Sequence, residues 1–92
     1  MSLDKSYMKI FNTFGEKTQI MKLREEVEEF IAAIESGTKK EQTEECADVM
    51  NMINQFAYAY KLNKQDTLCI MTEKVYRTLN RIDNGYYEGK DK

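Results

Sequence analysis

Apolar residues recur along this chain at spacings of three and four, the mark of helices that each bury one face. Tyr7, Met8, Ile10, Phe11 and Phe14 predict a first helix over about residues 4–14, which Gly15 ends or kinks. Ile20, Leu23, Val27, Phe30, Ile31 and Ile34 predict a second over about 17–36, with Gly37 as terminator. Thr38 is placed to cap a third helix over about 39–61, whose stripe is Cys46, Val49, Met50, Ile53, Phe56, Ala57 and Tyr60. Asn63 caps a fourth, which continues to about residue 84 with Leu68, Met71, Val75, Leu79 and Ile82 on its stripe, before Gly85.

Short connections between long helices make neighbours antiparallel. The expected fold is therefore all-α, an antiparallel bundle of about four helices in one domain over 1–92, with a polar and flexible tail at 86–92. The third helix carries more apolar surface than one stripe needs, because Met52, Tyr58 and Ala59 lie off its main face. The first helix is rich in aromatics. A short chain buries only a modest core by itself. This surplus predicts self-association into a homodimer or homotetramer.

Composition agrees: there is no proline and there are only four glycines. A net charge of −2 without a basic tail or basic-aromatic cluster disfavours nucleic-acid binding. No apolar run approaches membrane-spanning length and no signal peptide is visible, so no membrane partner is expected. Cys46 and Cys69 match no metal or redox motif, and isolated cysteines fit a reducing, cytoplasmic setting. Histidine is absent altogether, which excludes Glu-x-x-His di-iron bundles, the usual zinc sites and His-based hydrolases.

Four carboxylates carry the candidate chemistry. Glu26 and Glu29, then Glu45 and Asp48, form two pairs at one-turn spacing on consecutive helices. On a helical wheel Lys22, Glu26, Glu29 and Ala33 share one narrow strip beside the apolar stripe, as do Glu45, Asp48 and Met52 on the next helix. Facing strips would make an acidic box. Ionised carboxylates do not converge without a counter-charge, and a hard cation such as Mg²⁺, with Mn²⁺ as substitute, suits an all-oxygen donor set. One such pair alone would read as solvated surface, and the doubled pattern is what carries weight. Glu25 and Glu44 adjoin the ligands; Glu25, with Glu26, is the candidate for catalysis, whereas Glu44 reads as surface charge. Lys74, Arg77 and Arg81 follow i, i+3, i+7 spacing on the fourth helix. Taken alone they are a solvated face. Beside a metal they, with Lys22, become candidates for binding phosphates.

The stretches LREEVEEFIAAI and EECADVMNMI resemble the MazG-like nucleotide pyrophosphohydrolases of the all-α NTP pyrophosphatase superfamily. The pattern EExxE followed by ExxD falls on Glu25, Glu26, Glu29, Glu45 and Asp48. FGEKTQIMKLREE resembles the family's lead-in, and EKVYRTLNRI a Lys-x-x-Arg-x-x-x-Arg ending seen in small phage and bacterial members. The resemblance implies a Mg²⁺-dependent hydrolase that splits a nucleoside triphosphate between its α and β phosphates, giving the monophosphate and pyrophosphate in nucleotide-pool house-cleaning. It implies metal ligation by Glu26, Glu29, Glu45 and Asp48, phosphate contacts from Lys74, Arg77 and Arg81, and assembly into dimers or tetramers. Met52 stands where many relatives carry an aromatic residue, and a His- or Trp-based base pocket cannot exist here. Tyr7, Phe11 and Phe14 are candidates to stack on a base, although stripe residues are more often core. Related branches act on dUTP, dCTP or phosphoribosyl-ATP, and no residue chooses among them. The contrasting expectation is a non-catalytic helical interaction module that kept the fold.

Overall fold

The structure, a computed structural model, describes residues 3–89. Four helices follow one another: α1 (Leu3–Phe14), α2 (Glu16–Ser36), α3 (Lys39–Ala59) and α4 (Lys64–Asp83). No strand occurs among the described residues. The all-α expectation holds, and helix ends fall within about two residues of those expected. Among the described residues no helix is long and apolar enough to cross a membrane. The chain divides into two compact units, one ending at Lys61 and the other beginning at Leu62.

Local chemistry sets the breaks in the first unit. Gly15, at φ 86°, takes a backbone conformation that L side chains rarely adopt and separates α1 from α2. Thr38 caps α3 through a complete capping box: the Glu41 N–H donates to Thr38 Oγ1 at 3.1 Å, and the Thr38 N–H donates to Glu41 Oε1 at 3.2 Å. Only Gly37 and Thr38 separate α2 from α3. The Gln42 side chain closes this corner by donating to the Ala33 carbonyl at 3.0 Å. At the far end of the pair, Gln19 Nε2 donates to Gln55 Oε1 at 2.7 Å. These two ties place α2 and α3 antiparallel along their length.

Helix α1 packs on α3 through its aromatics. Phe11 meets Phe56 edge-on at 5.2 Å, and Tyr7 stacks on Tyr58 at 5.8 Å. The Tyr7 hydroxyl donates to Asn51 Oδ1 at 2.8 Å and accepts from Asn54 Nδ2 at 3.3 Å. Tyr7 and Phe11 are buried, each contributing about 1.5–3 kcal/mol if fully removed from water.

The interface between α2 and α3 differs from the sequence-based expectation. Its buried residues are Gln19, Glu26 and Ala33 on one side and Met52 and Gln55 on the other. Of the expected α2 stripe, Ile20, Leu23 and Phe30 are half-buried, while Val27, Ile31 and Ile34 are exposed. Met52, expected off the main face of α3, is among its two buried residues, and Met50 and Ile53 are exposed. The polar strips face each other, and this turns the neighbouring apolar stripes outward.

In the second unit, Asn63 caps α4 by accepting from the Asp66 N–H at 2.9 Å. A Schellman closure ends it: Gly85 lies at φ 71°, the Tyr86 N–H donates to Arg81 O, and the Gly85 N–H donates to Ile82 O. Arg81 sits 5.0 Å over the Tyr86 ring. No residue of α4 is buried. Of the tail expected at 86–92, residues 86–89 form turns and residues 90–92 lie outside the described residues.

The α2–α3 corner leaves no room for a Cβ at Gly37. A Cβ at Gly37 would stand 2.8 Å from the Ala33 carbonyl oxygen, which is itself hydrogen-bonded to the Gly37 N–H at 2.7 Å. Gly37→Ala is expected to cost about 1–3 kcal/mol, the usual range for overpacking. Urea unfolding should show a lowered midpoint, and an unchanged midpoint would refute this account of the corner.

Candidate metal centre

Two adjacent turns of α2 carry Lys22, Glu25, Glu26 and Glu29, and the facing turn of α3 carries Glu45 and Asp48. Starting from the bonded pair Gln19–Gln55, the antiparallel register sets Glu26 opposite Asp48 and Glu29 opposite Glu45. Three carboxylates converge: one oxygen from each of Glu26, Glu29 and Glu45 lies within 4.8 Å of the other two. Asp48 stands outside this trio. It is exposed, lines the adjoining cavity with Glu26, and is close enough for its charge to act on Glu45.

Burial makes the convergence costly. The Glu26 side chain is only 8% exposed, against 60% for its neighbour Glu25. Lys22 Nζ lies 3.0 Å from Glu26 Oε1 and 3.9 Å from Glu25. Its hydrogen bond and charge attraction to Glu26 raise the ammonium above its usual value. The second oxygen of Glu26 and one oxygen of Glu45 are buried with no hydrogen-bond partner. Burial first, then the charges of Glu29 and Asp48, push the Glu45 carboxyl above the ordinary range, and its contact with Glu29 adds to this. Orphaned buried oxygens are rare because they forfeit hydration without compensation. A hard divalent cation would supply the missing partner and charge, so the donor set fits such an ion.

The remaining sequence-based candidates are placed differently. Glu25 is exposed at the edge of the cluster, and Glu44 pairs with Lys40 at 4.0 Å on the exposed side of α3. Lys74, Arg77 and Arg81 are on α4, in the second unit, where Lys74 and Arg77 are exposed and Arg81 is half-buried against Tyr86. Sequence reasoning missed the buried carboxamide pair Gln19–Gln55. Both residues continue the polar strips, Gln19 one turn before Lys22 and Gln55 one turn after Met52, so extending the wheel would have found them.

Between α1, α2 and α3, beside the carboxylates, lies a cavity of about 410 Å³. Lys22, Glu26 and Asp48 line one part of it, while Tyr7, Ile10, Phe14 and Met52 give it apolar walls. The carboxylate cluster thus adjoins a pocket of ligand size.

Comparison with known families agrees with this geometry. The sequence model of the phosphoribosyl-ATP pyrophosphohydrolase family matches residues 5–79. The chain belongs to that family. The match contains all four acidic positions as well as Lys74 and Arg77, and it stops short of Arg81. Neither the curated proteins nor the solved structures returned a match. Membership in the phosphoribosyl-ATP pyrophosphohydrolase family supports the broad part of the expectation, hydrolysis of a phosphoanhydride bond by a divalent-cation-dependent enzyme.

The strained carboxyl gives a signed prediction. The folded state raises the Glu45 carboxyl, so it holds that proton more tightly than the unfolded chain does. Glu45 therefore weakens the metal-free fold above its raised folded value, and this penalty fades as pH falls through that value towards the ordinary glutamate range. Without metal at neutral pH, Glu45→Gln should raise Tm by a few degrees, and the gap to wild type should close as pH falls. Glu35→Gln, an exposed change on α2, is the control. Equal thermal shifts from the two variants would show that Glu45 carries no such strain.

Proposed function

We propose that this protein hydrolyses a nucleoside triphosphate between its α and β phosphates, releasing the monophosphate and pyrophosphate, with Mg²⁺ or Mn²⁺ as cofactor. The observation that carries the reading is the convergence of Glu26, Glu29 and Glu45, with two buried unpartnered oxygens on Glu26 and Glu45, beside a ligand-sized cavity. Family membership supports the bond type.

In this reading Glu26, Glu29, Glu45 and Asp48 hold the cation. When bound, it would neutralise phosphate oxygens and make water more acidic. The protein's own groups do the rest. Water adds to one phosphorus of the α–β anhydride, the bridging oxygen leaves on the other phosphate, and the water proton passes to the Glu25–Glu26 pair. Lys22 pairs with Glu26, and in this reading it exchanges that carboxylate partner for a phosphate oxygen. Lys74, Arg77 and Arg81 are the further proposed phosphate contacts. The family's name gives phosphoribosyl-ATP a place in any substrate panel, since it carries the same triphosphate linkage.

We also propose a homodimer or homotetramer. Val27, Ile31 and Ile34 on α2 and Met50 and Ile53 on α3 are all exposed. Monomeric soluble proteins rarely leave such apolar surface open, and homodimer interfaces are apolar. Light scattering should report a multiple of the 10.9 kDa chain mass. A monomer at all concentrations would overturn this proposal.

The activity is tested by measuring pyrophosphate release from canonical triphosphates and phosphoribosyl-ATP, with and without Mg²⁺. Pyrophosphate and monophosphate are expected only with metal. Orthophosphate and a diphosphate would contradict the bond assignment, and no turnover on any substrate would favour the interaction module. Mg²⁺ should raise the wild-type Tm by mass action. Glu45→Gln should lose most of that gain, and its activity should drop by at least the roughly 10–100-fold seen when a metal's outer-shell partner is lost.

A further inference from the structure

We propose that the cavity between α1, α2 and α3 is a nucleobase subsite, and that the buried Gln19–Gln55 carboxamide pair reads the edge of the base. The inference rests on the hydrolase reading for what lies at the other end of the ligand, and it adds the group that confers base specificity.

The cavity is polarised along the α2–α3 pair. Glu26, Lys22 and Asp48 mark its charged end, and Gln19 and Gln55 its neutral end. Gln19 and Glu26 are two helical turns apart, about 10 Å at 1.5 Å per residue. That span is comparable with the distance from a nucleobase edge to the second phosphate of its nucleotide. A ligand with its polyphosphate at the carboxylates therefore brings its base to the carboxamides.

The neutral end has the chemistry for a base. Gln19 and Gln55 are 4% and 5% exposed, so their hydrogen-bonding groups are held in place and largely shielded from water. Their mutual bond of 2.7 Å uses one donor and one acceptor of the pair. Gln55 Nε2 then spends a donor on Met52 Sδ at 3.6 Å, a weak acceptor that a carbonyl or ring nitrogen would replace with profit. A carboxamide presents a donor beside an acceptor, which matches base edges where an N–H adjoins a carbonyl or ring nitrogen. Tyr7, Ile10, Phe14 and Met52 supply apolar walls. Phe14 is 58% exposed, an aromatic face open for stacking. Base–aromatic stacking is sequence-tolerant, so discrimination among bases falls to the carboxamides.

The test reads binding without turnover. AMP, CMP, GMP and UMP are titrated into ¹⁵N-labelled protein in the absence of metal, with ribose 5-phosphate as the probe that lacks a base. The side-chain amide resonances of Gln19 and Gln55 should shift saturably with at least one monophosphate and stay still with ribose 5-phosphate. The double variant Gln19→Leu/Gln55→Leu removes both partners together, which avoids leaving one buried amide unpaired. Its affinity for the preferred monophosphate should fall by about tenfold or more, the scale of one good bidentate base contact. Unmoved glutamine amides under saturating monophosphate would overturn the proposal, and so would equal affinity in the double variant. If that variant does not fold, the wild-type amide shifts still decide. Monophosphate binding at the glutamines without any triphosphate turnover would keep the subsite and sink the hydrolase. Turnover with unmoved glutamines would do the reverse.

Discussion

Glu26 and Glu45 can meet only because α2 and α3 run antiparallel in one register, and that register is pinned at both ends. At one end the Gly37–Thr38 corner is closed by the capping box and by Gln42 on the Ala33 carbonyl. At the other, Gln19 bonds Gln55. A helical surface repeats about every seven residues, so strips that match at the two ends also match in the middle. The carboxylates sit in that middle. A slip by one residue would rotate the strips about 100° out of line and scatter the cluster. The carboxylate cluster is thus held in place by groups that lie outside it.

The same register imposes an electrostatic debt. Three carboxylates share a volume a few ångströms across, and Lys22 answers Glu26 with a single positive charge. Among the described residues Glu45 has no such ion pair, and its carboxyl is raised by burial and by its acidic neighbours. Well-packed apolar residues would make a more stable interface than this one. An interface that concentrates like charge where apolar contacts were available from the adjacent stripe is understandable when a cation completes it.

The readable parts of the sequence are those fixed by local chemistry. Thr38 with Glu41, Asn63 and Gly85 announce helix ends because caps depend on residues within a turn. The convergence of Glu26, Glu29 and Glu45 was legible because helical periodicity and a short corner leave little freedom. Asp48 was grouped with them by spacing, yet a position at the exposed edge of the strip keeps it outside the trio. The buried face was harder to read. Val27, Ile31 and Ile34 look like core by hydropathy, whereas Gln19, Glu26 and Gln55 look like surface, and the structure reverses the two. Hydropathy ranks residues by transfer to an apolar phase and is blind to polar groups that satisfy one another across an interface.

The inverted interface also links chemistry to assembly. Once polar strips occupy the contact between α2 and α3, the apolar stripes of these helices face elsewhere. Enzyme sites and stable cores compete for the same helix faces in a small bundle. Giving the inner face to carboxylates and carboxamides leaves the outer face to carry the hydrophobic energy. That energy is recovered only when a second apolar surface arrives. The proposed self-association would cover those outer stripes, while the inner face keeps buried Glu26 and half-buried Glu45 beside exposed Glu29.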